Sequence, residues 1–167
     1  LLRALARGEQ LLFAGPLAGA SSLIIPEPYL KMPASLSQLV ADERCTFWYS
    51  VPFLLAELLQ RGALDQRDLT ALRWVLFGGE VADPAVISGL SRHLPNARFS
   101  NSYGPAEVNQ CMFHHLPGPP PLGRTIPIGR SWGDAELLIV DEDRRPVPAG
   151  AVGELLVRTS TMMAGYW

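Results

Sequence analysis

Seven consecutive residues, Asn101-Ser102-Tyr103-Gly104-Pro105-Ala106-Glu107, combine an amide, a hydroxyl, an aromatic ring, a turn-forming Gly-Pro pair and one carboxylate. A ring beside a carboxylate suits a nucleotide, because the ring can stack on a base while the carboxylate holds Mg2+ on phosphate oxygens. On a loop at a strand's end, both groups would face a ligand while the scaffold stays rigid. The same residues also fit a plain strand-to-helix turn, with Gly104 and Pro105 as punctuation and Glu107 in the helix's first turn. Two further stretches carry the same kind of chemistry. Gly78-Gly79-Glu80 offers backbone that a flat ligand can approach with no Cβ between them, and Tyr49-Ser50 offers a ring and a hydroxyl.

The elements that must position these groups follow from the apolar pattern. Ser22 to Ile25 reads as a buried strand ended by Pro26 and Pro28. Pro33 to Ala41, with Leu36, Leu39 and Val40 on one face, reads as a short helix. Cys45 to Tyr49 is predicted as a strand, and Pro52 opens a helix through Gln60 that Gly62 stops. Arg73 to Phe77 is the next strand. Asp83-Pro84 starts another helix with a capping carboxylate and a first-turn proline, and Ala97 to Ser100 is the fourth strand. Strands separated by helices predict a mostly parallel sheet with flanking helices, an α/β fold. After Leu116 the character changes. A Pro-rich linker, Pro117 to Pro121, leads to strands at Ala135 to Val140 and Gly153 to Arg158 with no helix between them, an antiparallel pair. The expected division is therefore residues 1–116, an α/β part, and 117–167, the linker and the start of a β-rich part. In an open parallel sheet, ligands sit outside the carboxyl ends of the strands. All three chemically suggestive loops fall at such ends, so a nucleotide-sized site is expected there.

Composition narrows the classes. Hydrophobic residues make up 48% of the 167, charged residues 18%, and the formal net charge is −2. Such a chain can bury a core, and it lacks the basic face that a nucleic-acid partner would need. No apolar run approaches the roughly 20 residues of a membrane span. Cys45 and Cys111 give neither a disulfide framework nor a metal-ligand spacing, and they fit a reducing, cytoplasmic compartment. The apolar residues at both ends, Leu1 and Tyr166-Trp167, lead us to expect a piece of a larger protein.

In matching order, four stretches resemble the adenylate-forming enzymes, and most of all the amino-acid adenylation domains of nonribosomal peptide synthetases and their stand-alone relatives. Leu72 to Glu80 is similar to the family's LRxVxxGGE strand and loop, and Asn101 to Glu107 to its NxYGPTE motif. Ile126 to Arg130 resembles the xPIGRP turn. Gly150 to Val157, followed by Gly165-Tyr166-Trp167, looks like GxxGEL…GYW. The resemblance implies a two-step reaction with ATP and Mg2+. A carboxylate attacks the α-phosphate to give an acyl-adenylate and pyrophosphate, and a thiol then takes the acyl group. That thiol belongs to a carrier protein's phosphopantetheine arm or to coenzyme A. It implies that Gly78, Gly79 and Glu80 line the adenine, that Asn101 reaches its edge, and that Tyr103 stacks on its face. Ser102, Gly104 and Ala106 complete the nucleotide-binding stretch, and Glu107 is the catalytic, Mg2+-binding carboxylate. Tyr49, Leu76, Gly78, Ser102, Gln110 and Cys111 fall where the family places its acyl-substrate pocket.

Two departures stand out. Ala106 replaces the usual Thr, whose hydroxyl contacts the α-phosphate, and losing one hydrogen bond to a charged group costs about 1.5–3 kcal/mol. Ala164 stands where many members carry Arg. The family's lysine-bearing phosphate loop, and the aspartate that pairs with a substrate α-amino group, are expected before Leu1. Its ribose-binding aspartate, hinge and catalytic lysine are expected after Trp167, so these residues alone should not turn over. None of the pocket positions is charged, and a charged side chain is not cheaply desolvated there. The expected substrate is a small neutral amino acid such as proline, glycine, alanine or serine. An acyl- or aryl-CoA ligase is the alternative, and a non-catalytic structural module a third reading. A Rossmann dinucleotide domain is disfavoured because no GxGxxG follows a strand.

The remaining conspicuous residues read as structural. His114 and His115 would point to opposite faces of a strand and cannot chelate together. Nothing marks Cys111 as activated, Trp74 and Trp132 read as packing residues, and Asp141 to Arg145 reads as a solvated hairpin turn. Of Trp48 and Tyr49, one should enter the core and the other face the pocket.

Overall fold

A computed structural model describes residues 21–167. The expected helices form where proline can occupy a first-turn position: α2 (Pro33–Asp42), α3 (Pro52–Arg61) and α4 (Pro84–His93) all begin on one, after a single turn of helix α1 (Glu27–Leu30). Proline there forfeits only an amide that had no intrahelical partner. Asp83 caps α4 by accepting from the Ala85 amide at 2.8 Å. Strands β1 (Phe47–Ser50), β2 (Trp74–Gly78) and β3 (Arg98–Tyr103) pair in parallel. β4 (Met112–His115) runs antiparallel to β3, and the short β5 (Arg130–Ser131) completes a five-stranded sheet in the order β1-β2-β3-β4-β5. Apolar positions of the helices (Leu36, Leu55, Ile87, Leu90) and of the sheet (Val75, Phe77) close into one core.

The second sheet is the expected antiparallel pair, β6 (Glu136–Val140) with β7 (Glu154–Arg158). Its Ala135, Leu137, Leu155 and Val157 meet Val108, Cys111 and Met112 in a smaller cluster. The division expected near residue 117 falls between β4 and β5, which belong to one sheet. Among the described residues no helix is long and apolar enough to cross a membrane.

Two expectations need correction. Ser22 to Ile25 forms no strand; Ile25 is buried in the core, and the chain turns into α1 directly after Pro26. Residues 101–103 were expected on a loop, yet they extend β3, and the chain after Glu107 enters β4, not a helix. Pairing on both sides explains the extension: Asn101 and Ser102 lie beside Phe77 and Gly78 of β2, and Tyr103 lies opposite Met112 of β4, its carbonyl accepting from the Cys111 amide.

Candidate nucleotide and acyl site

The parallel register sets the site. Ser50 lies beside Phe77 and Phe77 beside Asn101, so β1, β2 and β3 end almost flush and their three following segments open on the same edge. Gly78 has no room for a side chain, because a Cβ would stand 2.3 Å from the Ser102 carbonyl oxygen. Gly79 takes φ +94°, a left-handed backbone that glycine adopts without strain. Glu80 then turns back across the sheet edge. Its Oε1 accepts from the Phe53 amide at 2.6 Å. Val51, the N-cap of α3, has no acceptor in its side chain, so Glu80 satisfies one of that helix's free first-turn amides.

Tyr103 ends β3 at 36% exposure and is not sealed in the core. Gly104 makes the turn that follows. A Cβ there would come 1.5 Å from the Asn109 carbonyl oxygen, so only glycine permits this closure. Asn101 is buried, and its side-chain amide donates to the Pro127 carbonyl at 2.9 Å. This bond fastens the Ile126–Arg130 stretch to the centre of the sheet. Pro105 and Ala106 are exposed at the turn, and Glu107 is half-buried beside them.

Of the six expected pocket positions, Tyr49, Gly78, Ser102 and Gln110 lie together with Leu76 beside Tyr49, whereas Cys111 joins the small cluster between the two sheets. Trp48 enters the core while Tyr49 is half-buried, and the Gln110 side-chain amide donates to the Tyr49 hydroxyl at 2.9 Å. Burial holds the Tyr49 phenol above its ordinary pKa, partly offset by hydrogen bonding with Ser102 and Gln110. Ser102, on β3 beside Gly78, donates to the Phe77 carbonyl at 3.1 Å. The Gln110 carbonyl oxygen is buried with no protein partner. Leu76 sits on β2 opposite Tyr49 and Ser100. Cys111 is buried against Tyr103, and burial pushes its thiol up, away from the ionised form that a nucleophile needs.

A model of the AMP-binding enzymes matches residues 8–167. The chain belongs to the AMP-binding enzyme family. Its AMP-binding relatives include an L-proline–[L-prolyl-carrier protein] ligase of Streptomyces coelicolor, 36% identical over 93% of this chain and 30% of that protein. Gramicidin S synthase 2 of Aneurinibacillus migulanus is 31% identical over 93% of this chain and 3% of that protein. The chain thus spans a third or less of these AMP-binding relatives. Among solved structures, the nonribosomal peptide synthetase FmoA3 with α-methyl-L-serine-AMP bound matches 91% of this chain and 18% of its own at 34% identity, with TM-score 0.80. CmiS6 matches 89% of this chain and 36% of its own at 28% identity, with TM-score 0.81.

Among the described residues of this AMP-binding chain, no three His, Cys, Asp or Glu cluster as a ready-made metal cage. Mg2+ is commonly held by one or two carboxylates together with phosphate oxygens and water. Glu107 fits as such a hard oxygen donor. The Tyr166 hydroxyl donates to its Oε1, and this hydrogen bond holds the carboxyl below its usual pKa, in the ionised form that a cation requires. Tyr166 comes from the Gly165-Tyr166-Trp167 stretch. The sequence marks that stretch but assigns it no role, because its partner lies 59 residues away.

His114 is half-buried and His115 exposed, and both are engaged within the sheet. His115 Nδ1 lies 2.7 Å from the Ser100 hydroxyl, which accepts from Trp74 Nε1 at 2.9 Å, and the Trp74 and His115 rings meet edge-on. His114 faces Asn101 across the ladder. Trp132 is exposed on one side and packs edge-on against Phe113. In the charged run, Asp141 closes its own turn by accepting from the Asp143 and Arg145 amides.

Proposed function

We propose that this chain is the central part of an AMP-forming ligase that activates a small neutral amino acid. The observation that carries the reading is the flush ending of β1, β2 and β3. It gathers the double glycine, Tyr103 and the Glu107 turn on one edge, with the Tyr49–Gln110–Ser102 group beside them. The names of the relatives support the same chemistry, since one is a proline–carrier-protein ligase and two others are peptide synthetases.

In this reading the purine lies on the Tyr103 ring and against the Gly78–Glu80 backbone. A carboxylate oxygen of the amino acid attacks the α-phosphorus, and the bond to pyrophosphate breaks. The thiol of a carrier protein's phosphopantetheine arm then attacks the carbonyl carbon as thiolate, and AMP leaves. Mg2+, when bound, neutralises phosphate charge, and Glu107 is the residue that would hold it. The residues shown here act by positioning, keeping groups fixed where charge develops. Asn101 reaches the adenine edge only if its amide is shared with, or released from, Pro127. The pocket's polar groups are all neutral, so a charged substrate side chain would lose water with no counter-charge in return.

Exchange of radiolabelled pyrophosphate into ATP, measured on the full-length protein carrying these residues, tests the proposal. A small neutral amino acid should stimulate exchange best. Best stimulation by a charged or large aromatic acid would overturn the substrate reading, and no exchange with any acid would overturn the ligase reading. Loading of holo-carrier protein is the expected second step. If coenzyme A alone accepts the acyl group, the acceptor is misassigned.

A further inference from the structure

The segment after β7 returns to the turn that holds Glu107 and is fastened there at three points. The Met163 amide donates to the Glu107 carbonyl at 2.7 Å, the Thr161 hydroxyl donates to the Val108 carbonyl at 2.7 Å, and the Tyr166 hydroxyl donates to Glu107 Oε1. The start of the segment is fixed as well. Asp134 accepts from the Thr159 hydroxyl and the Ser160 amide, each at 2.8 Å. Two of these bonds hold the backbone of the turn itself, and the third holds the carboxylate that the turn presents. Tyr166 as a whole is 78% exposed. Little packing depends on it, and its defined interaction is the hydroxyl's.

We infer that Tyr166 is a positioning residue for the metal site: its hydroxyl fixes one oxygen of Glu107 and leaves the other to the cation. A free glutamate side chain has three rotatable bonds, and ordering it on metal binding costs conformational entropy. A donor that already holds one oxygen removes part of that cost, as partners of ligating carboxylates do elsewhere. The inference rests on the reading of Glu107 as the metal-binding carboxylate, and the test separates the two.

Mn2+ serves as the probe, with a non-hydrolysable ATP analogue, on the full-length protein, with bound metal followed by electron paramagnetic resonance. Tyr166→Phe keeps the ring and removes the hydroxyl. It should weaken Mn2+ binding about tenfold, the lower end for loss of such a partner, while the thermal midpoint and analogue binding without metal stay at the wild-type value. In a Glu107→Gln background the same change should add nothing further, because the two residues act through one contact. Unchanged or tighter Mn2+ binding by Tyr166→Phe overturns the inference, and so does an equal loss in both backgrounds. If Glu107→Gln itself binds Mn2+ as the wild type does, the assignment of the metal carboxylate fails, and the inference with it.

Discussion

At Ala106 the turn offers an exposed methyl group where the family motif that this stretch resembles has a threonine hydroxyl. Ala106→Thr should therefore quicken adenylate formation by roughly ten- to a hundredfold, the equivalent of about 1.5–3 kcal/mol. Pyrophosphate exchange by the full-length variant reads this directly, and an unchanged rate would remove the turn from α-phosphate recognition. Gln110 supports a second prediction. Its carbonyl oxygen is buried without a protein partner, a cost that a polar substrate or a water molecule can relieve. Gln110→Leu should shift preference toward aliphatic amino acids, seen as a changed ratio of exchange rates for alanine over serine. The residue types of the candidate site were conspicuous in the sequence, but their partners were not. Asn101 was identified by type, yet its amide reaches a carbonyl 26 residues away, and Glu107 is held by Tyr166 across 59. Contacts of that separation leave no trace in local spacing.

Helices α2, α3 and α4 were legible because first-turn prolines and one capping aspartate punctuate the chain where each begins. Parallel β1, β2 and β3 were legible because their apolar runs alternate with those helices. The C-terminal half of β3 was not, since Asn-Ser-Tyr has the composition of a loop and becomes a strand through its neighbours, β2 on one side and β4 on the other. The Gly104 turn between them is sterically closed. Gly104→Ala should destabilise the protein by about 1–3 kcal/mol or more, the range for forced overpacking, as a lowered urea midpoint. Asp134 makes the segment after β7 pH-sensitive. Hydrogen bonds from Ser160 and then Thr159 hold its carboxyl below the usual range. With the folded pKa depressed, its stabilisation is present above the unfolded carboxylate pKa and is lost as pH falls through the folded value. Asp134→Asn should thus melt below wild type at neutral pH, with the gap closing once pH drops below about 4.

For the whole molecule, two sheets meet through a small cluster centred on Val108, Cys111 and Met112. Met112→Ala should cost about 2–5 kcal/mol and lower the urea midpoint, because it opens the contact between the sheets. The change from an α/β part to an antiparallel pair was legible from the missing helix after residue 117. What was not legible is that β5, beyond the Pro-rich linker, returns to the first sheet, since a two-residue strand carries no periodicity. The Glu80 carboxylate shapes the molecule in another way. It clips the first turn of α3 to the corner after β2, across 27 residues of chain. A lesion at that glutamate would be felt as a frayed helix start on the neighbouring crossover, so amide exchange at Phe53 would register it even in protein that had never met a nucleotide.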